Sequence, residues 1–440
     1  VAKATAAAVG ELWPSGRGRQ GRYGWSEHTG PGELSAATLA WNWSHPRGRF
    51  ATMTFGTVMD SELNIYLTAA DALRKFSPDG RLLWTHTTLP AENMNAPLLM
   101  DGMVFMSQTF GSVYALSAQT GDLLWRTRLA KFNAADNGFV MGHEGVLVVA
   151  GGAYLEFNPF VSGVNASDGT EIWRFRTDAP IWNFAASFPD DGTLVFQDLE
   201  GRAYRTRLRE GTLIWKAGGV PGTWTDGTAT LGANGVVYAV AVHAAYGQAR
   251  AETPGELSAY RLSDGHLLWR IQVQFPPNNA PAVGKLYGMS NLSVVQPLGQ
   301  QVLQGAPTAV AAFDAETGKM QWRYEGPRQQ GILQAGDGPG ILERLLNGVR
   351  PLCLPNPWGA PVIDAAGTVY LGNQEGLFMA LRDVDGNGVI DGPEEVSGYD
   401  TGACFGGSAG PSVAPGRIAV ASCDTLFVFR SREKGSLATG

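Results

Sequence analysis

Apolar and polar residues alternate in short runs along most of the chain, and Gly, Asp, Asn or Pro interrupts them every few positions, the patterning of strands joined by tight turns. One pattern recurs: a small-aromatic strand, a turn ending in Gly, two or three apolar residues and a Trp. The clearest copies are VYALSAQTGDLLW ending at Trp125, AYRTRLREGTLIW ending at Trp215, LSAYRLSDGHLLW ending at Trp269 and VAAFDAETGKMQW ending at Trp322. Looser copies end at Trp84 and Trp173. Each copy alternates on both sides of its turn, which predicts a β-hairpin whose Gly supplies the positive φ angle. Upstream of most copies lies a second strand pair, as in APLLMDGMVFMSQ, GTLVFQDL and APVIDAAGTVYLGN, so four strands make one unit. Helical patterning is confined to GILERLLNGV, residues 340–349.

The repeat-closing Trp residues stand 41 to 54 positions apart, a blade-sized period. An N-terminal TLAWNWS sets Trp41 where such a Trp belongs, yet no inner strands precede it. The missing strands are found at the other end, in AGPSVAPGRIAVASCDTLFVFRS. The expected fold is therefore all-β: an eight-bladed β-propeller with four antiparallel strands per blade and its last blade closed by the N-terminal strand, which leaves the ring without a free edge. Residues 1–35 form an N-terminal extension, 36–430 the propeller and 431–440 a tail.

Composition narrows the function classes. Of 440 residues, 44% are apolar and 17% charged, which suits a large core and excludes an intrinsically disordered chain. The net charge of -7 carries no long basic run, so nucleic acid is not an expected partner. No stretch approaches the ~18 apolar residues of a membrane span. The chain opens at Val1 and not at Met, and VAKATAAAVG is neither a complete signal peptide nor a strand, which fits a targeting segment already removed and equally a chain shortened by other means. A secreted, periplasmic or organelle-lumen protein is expected, and the N-x-S sequons at Asn42, Asn165 and Asn291 add little weight to that. Of three cysteines, Cys404 and Cys423 are spaced to meet across adjacent strands; a bond between them would leave Cys353 over.

The strongest chemical signal replaces the hairpin turn of the seventh blade. DVDGNGVIDGPEE fits the EF-hand loop template D-x-[DN]-x-[DN]-G-x5-E over residues 383–394. In that template Asp383, Asp385 and Asn387 give side-chain oxygens, Gly388 makes the sharp bend, Val389 gives its carbonyl, Asp391 acts through water and Glu394 binds with both oxygens. The same residue types also populate ordinary turns. Strands rather than helices flank the loop, so calcium is expected as a structural clip and not as a conformational sensor.

A second set precedes the innermost strands: Asn95, Asn137, Asn183, Asp226, Asn279 and Asn356, with Trp182, Trp224 and Trp358 nearby. These loops are expected to line the mouth of the ring. Asn and Trp converging on a concavity suit a sugar, a peptide loop or another small polar ligand; alternatively the Asn and Asp serve turns and the Trp pack between blades. Insertions at 288–306 and 325–357 are further candidates for recognition.

Catalytic patterns are few. GGSAG around Ser408 and GRGRQG from Gly16 match G-x-S-x-G and G-x-G-x-x-G in spelling only, since neither joins a strand to a helix. The close pairs His143 with Glu144 and Glu27 with His28 read as solvated pairs.

The repeat, a small residue, Asp or Ser, two variable positions, Gly, two apolar residues and Trp, resembles that of the quinoprotein alcohol dehydrogenases across residues 36–430. It also resembles the repeat of the BamB-type outer-membrane assembly lipoproteins, propellers without quinone. A quinoprotein would require calcium beside pyrroloquinoline quinone (PQQ), a catalytic Asp and usually an adjacent cysteine pair. This chain has neither adjacent cysteines nor a C-x-x-C-H haem attachment, so PQQ is not expected. What is missing, more than the resemblance, makes a non-catalytic propeller scaffold with protein partners the expected role. Its rivals are a divergent quinoprotein oxidoreductase and a carbohydrate-binding or carbohydrate-active propeller with a glycan at the mouth.

Overall fold

Strands buried on both faces read as continuous apolar runs such as IYLTA and VVYAVAV, and strands with one wet face alternate. Both kinds recur at fixed places in each unit of the structure, a computed structural model. It describes residues 11–432 apart from 20, 22–23, 48–55, 89–95, 109–110, 131–139, 153–157, 246, 301–304, 331–334, 336–337, 339–340, 347–356 and 406–409. Eight antiparallel sheets form the blades of one propeller, as the repeat predicts. Blade 1 comprises Thr57–Asp60, Ile65–Ala69, Ala72–Phe76 and Leu82–Thr87; blade 5 comprises Thr230–Leu231, Val236–Val242, Gly255–Arg261 and Leu267–Val273. In blade 4 the innermost strand shrinks to a bridge between Ser187 and Val195 beside Thr193–Gln197, Arg202–Arg207 and Leu213–Gly218. Outermost strands show the half-exposed pattern, as in Leu123–Arg128.

Blade 8 combines both ends of the chain. Ser412–Ala414, Arg417–Ala421 and Thr425–Arg430 are completed by Leu39–Ser44, antiparallel to the last of these, with Trp41 opposite Val428. The closure inferred from Trp41 is therefore present. The extension holds an element that the sequence reading lacks: Glu11–Trp13 pairs with Thr57–Asp60 and gives blade 1 a fifth, innermost strand. Three residues before a Pro carry too little periodicity to announce it.

The repeat motif is the joint between blades. Trp41, Trp125, Trp173, Trp215 and Trp269 each donate Nε1–H to a carbonyl in the next blade's outer hairpin turn, at 2.8 to 3.1 Å. The turn Gly lies beneath the ring, and a Cβ built on Gly80, Gly121, Gly169, Gly211, Gly265 or Gly318 would stand 2.5 to 2.9 Å from the preceding blade's Trp. At the first joint Trp84 lacks this bond, because the Ala118 carbonyl in the corresponding place accepts from Tyr66 Oη and Lys75 Nζ, both at 3.1 Å.

Blades 6 and 7 are joined differently. In blade 7, Val362–Ile363, Val369–Gly372, Leu377–Leu381 and Val396–Asp400 form the sheet, and the acidic loop stands in place of its outer turn. That loop lies beside the outermost strand of blade 6, Met320–Glu325: Arg323 N donates to Gly388 O and Ile390 N donates to Arg323 O, both at 3.0 Å. Ile390 and Trp322, each 2% exposed, share one core cluster. A short helix, Ile341–Leu346, lies in the 325–357 insertion. Among the described residues no helix is long and apolar enough to cross a membrane.

Candidate functional site

Three places can carry chemistry: the acidic loop, the axis of the ring and the mouth. Successive strands run up and down, so the inter-blade connections lie on one face, the mouth. The turns between third and fourth strands, the acidic loop among them, lie on the other.

The loop is folded by its own polar side chains. Asp383 accepts from the N–H groups of Gly386 at 2.9 Å and Gly388 at 3.3 Å, and Asp385 accepts from that of Asn387 at 3.0 Å. Gly386 and Gly388 take φ of 74° and 83°, a left-handed backbone that disfavours a side chain. Ligand oxygens of Asp383, Asp385 and Glu395 lie within 4.8 Å of one another. The inward carboxylate is thus Glu395, one position beyond the Glu394 that the template designates, and Glu394 is exposed. The reason is the Gly392-Pro393 turn. Glu395 N and Val396 N both donate to Gly392 O at 3.0 Å, which swings Glu395 back over the loop, where Val384 N at 2.8 Å and Asp391 N at 3.2 Å donate to it. Burial works to raise its pKa, but these N–H donors hold it below the usual carboxylate value. Asn387 Nδ2 donates to Asp385 at 2.8 Å, while Val389 and Asp391 are exposed. Three carboxylates with close oxygens suit a hard divalent cation.

The axis is occupied by the chain's own N-terminal segment. After Glu11–Trp13, Pro14 O accepts from Leu99 N in blade 2 at 2.7 Å. Arg17, 1% exposed, donates from Nη2 to Pro281 O at 2.9 Å, at the start of blade 6's innermost strand, Ala282–Lys285, and to Thr230 Oγ1 in blade 5 at 3.4 Å. Ile363 in blade 7 donates its N–H to Gly24 O at 2.8 Å and accepts from Ser26 N at 2.9 Å. One segment touching the innermost strands of blades 1, 2, 5, 6 and 7 runs through the centre of the ring. The GRGRQG spelling therefore has a structural use, since Gly18 lies against the Trp13 ring and Arg17 reaches across the channel. A cavity of about 490 Å³ remains on the acidic-loop side, lined by Trp13, Arg19, Trp25, Glu27, His28 and Asp190 among others. Glu27 lies 2.9 Å from Arg19 and 3.8 Å from His28, and His143 lies 3.0 Å from Asp190 and 3.9 Å from Glu144.

At the mouth, the described residues of the Asn and Trp set tie neighbouring connections together. Asn183, at φ 46°, donates to Asp226 O at 3.2 Å. Asn279 donates to Trp358 O at 2.8 Å, and Trp358, 1% exposed, packs edge-on against Tyr324. Trp182 and Trp224 make an edge-to-face pair with centroids 5.0 Å apart, Trp224 donates to Asp226 Oδ1 at 3.1 Å, and both rings are only half-buried. Asn183 and Asn279 thus tie neighbouring connections together and Trp358 packs between blades, while Trp182 and Trp224 stay half-buried. Asn95, Asn137 and Asn356 lie outside the described residues, as does Ser408 of the G-x-S-x-G spelling.

Cys404 and Cys423 also meet on this face. Their sulfurs are 3.8 Å apart, too far for the bond weighed from their spacing, and Cys423 is disulfide-bonded.

The profile of the family described as outer membrane protein assembly factor BamB matches residues 69–253 and 223–338, more than half of the chain. The chain is 23% identical over 356 residues to the BamB of Burkholderia pseudomallei, covering 73% of this chain and 85% of that one. It is 25% identical over 261 residues to a tetrathionate hydrolase of Acidithiobacillus ferrooxidans, covering 52% of this chain and about half, 48%, of that enzyme. In structure it is similar to BamB from Moraxella catarrhalis, with a TM-score of 0.61 and 14% identity over 90% of this chain and 98% of that one. It is also similar to quinohemoprotein alcohol dehydrogenase from Comamonas testosteroni, with a TM-score of 0.60 and 14% identity over 100% of this chain and 84% of that one. At such identities these structures share the fold alone. Repeat, blade count and profile agree: the chain belongs to the BamB-type family of PQQ-like repeat propellers.

Proposed function

We propose that this chain is a non-catalytic propeller scaffold for protein assembly, stiffened by one calcium ion in the 383–395 loop. The observation that carries the first half is the occupied axis. Arg17 and its neighbours fill space between the innermost strands that a channel-bound cofactor would need, and family membership adds the precedent of a protein assembly factor. Support for calcium is the template match together with the meeting of Asp383, Asp385 and Glu395. The ion stabilises the seam between blades 6 and 7, where the loop pairs with Arg323. The disulfide on Cys423 supports a secreted, periplasmic or luminal home.

Native mass spectrometry before and after mild chelation tests both halves. One calcium and no organic mass is expected, and a PQQ mass would overturn the scaffold reading. Crosslinking in the native compartment is then expected to capture a protein partner. The tetrathionate hydrolase alignment favours a second reading, hydrolysis of a sulfur compound; turnover of tetrathionate by the purified chain would establish it. Glycan binding lost in Trp182→Ala and Trp224→Ala would instead assign the mouth to a carbohydrate.

A further inference from the structure

The ladder between the third and fourth strands slips by one residue just ahead of the Trp in each of blades 1 to 6, where a single residue is left unpaired in a β-bulge. The bulge leaves the residues that precede the Trp facing water. In blade 2 these are Leu123 and Leu124, 49% and 52% exposed, and blades 1, 4 and 5 likewise present two aliphatic side chains there. Blades 3 and 6 present one each, Ile172 and Met320, and the acidic loop of blade 7 adds Val384 and Val389. Twelve of the sixteen large apolar side chains exposed among the described residues belong to this rim, so they mark one face of the ring and are not the scattered apolar exposure of any surface.

The turns beside these side chains are acidic. Each of blades 1 to 6 holds an exposed carboxylate in its outer turn: Asp79, Asp122, Asp168, Glu210, Asp264 and Glu316. Residues 77–81, 118–122, 166–170, 208–212, 262–266, 315–319 and 382–395 together carry eleven Asp and Glu against four Arg and Lys. That excess equals the net charge of the whole chain, -7, so the rest of the molecule is balanced and its long-range field comes from this rim. A divalent cation in the loop would lower the excess without cancelling it. Carboxylates set among apolar pairs repel an anionic lipid surface, and they repel a second copy of the same rim. Apolar residues set among Lys and Arg are attracted on both counts. We infer that the rim on the acidic-loop face is a docking surface for a basic, amphipathic segment of a partner protein. The segment lays its apolar side chains on the exposed leucine pairs and its Lys and Arg against the turn carboxylates. This rests on the scaffold reading and adds where the partner sits, on the face opposite the mouth.

The test uses the full chain and a synthetic amphipathic helix of leucine and lysine, fluorescent and carrying a diazirine. Saturable binding that weakens as salt is raised is expected, with photocrosslinks in the outer-turn segments of blades 1 to 6. Leu123→Ser with Leu124→Ser should erase the crosslink in blade 2 and leave the others. Glu210→Gln with Glu316→Gln should weaken binding and flatten its salt dependence, and these exposed positions answer the question if the leucine variant fails to fold. Leu342→Ser with Leu345→Ser, exposed in the insertion on the mouth face, should change nothing. Crosslinks confined to the mouth connections overturn the inference, as does binding that neither rim variant alters. Tighter binding to phosphatidylglycerol vesicles than to the peptide, or a dimer that the leucine variant abolishes, would overturn it in favour of lipid or a second copy. Crosslinking in the native compartment separates the two readings. A partner captured equally by the unaltered chain and by both rim variants would sink the rim and leave the scaffold standing; no partner captured by the unaltered chain would sink the scaffold reading itself.

Discussion

Single residues set the joints of this ring. A Cβ at Gly211 would come 2.5 Å from the Trp173 ring, at a φ of 66°. At Gly222, φ is 80° but nothing lies within 4 Å. Gly222→Ala is therefore expected to cost about 1 kcal/mol, backbone strain alone, and Gly211→Ala about 2 to 4 kcal/mol, strain plus a displaced indole and its hydrogen bond. Denaturant unfolding of both variants would check this, and equal losses would show that the indole does not hold the joint. The acidic loop gives a second contrast. Glu395→Gln should weaken calcium binding at least tenfold and Glu394→Gln by little, as read by calorimetric titration; the reverse order would restore the template's assignment. Gly positions and Trp spacing were legible in the sequence because each Gly answers a Trp one blade earlier. Glu395 was not, because the choice between neighbouring glutamates is made by the Gly392-Pro393 turn, which no ligand template includes.

At the scale of elements, strand order and blade count follow from alternation and period, and the outer strand Leu39–Ser44 was placed correctly from its Trp alone. The strand Glu11–Trp13 and the segment beyond it were not visible, since their order comes from contacts with five blades instead of any repeat of their own. That element is also sensitive to pH. Burial first, and the Asp101 carboxylate second, push the Glu11 pKa up from 4.5 to about 7. A raised carboxyl favours the protonated form in the docked strand. Its contribution is complete below about 4.5 and is lost as pH climbs through about 7. Protection of the Glu11–Trp13 amides in hydrogen exchange should fall between pH 6 and 8, after correction for intrinsic rates, and Glu11→Gln should remove that fall. An unchanged profile in the variant would place the sensitivity elsewhere.

For the whole molecule, the seams are unequal. Of the eight, five are sealed by an indole donating to the next blade, one by Lys75 and Tyr66 on Ala118, and the blade 6 to blade 7 seam by β-pairing of the acidic loop with Arg323. The blade 6 to blade 7 seam is the one whose strength an ion would adjust, so chelation should loosen protection around Arg323 and Ile390 before the rest of the ring. Uniform loss would argue for an ion that acts globally. Family membership and fold were both readable from the repeat, whereas the filled axis was not. It arises from the N-terminal segment, which lies outside the repeat and whose described residues bond to the innermost strands around them.

Closure through blade 8 also has a consequence in time. Ser44 bonds Thr425 across 381 positions of sequence, so an outer strand made early waits for a partner strand made much later. Until residue 430 is free, blade 8 lacks its outer strand and the Leu39–Ser44 segment lacks its sheet, each a template for the matching part of another molecule. Two chains held close together during synthesis or export can exchange these strands, giving an intertwined pair of rings with every native contact kept. Deleting residues 1–44 should leave an open blade 8 that polymerises or captures the free peptide, and sizing with and without that peptide would reveal which.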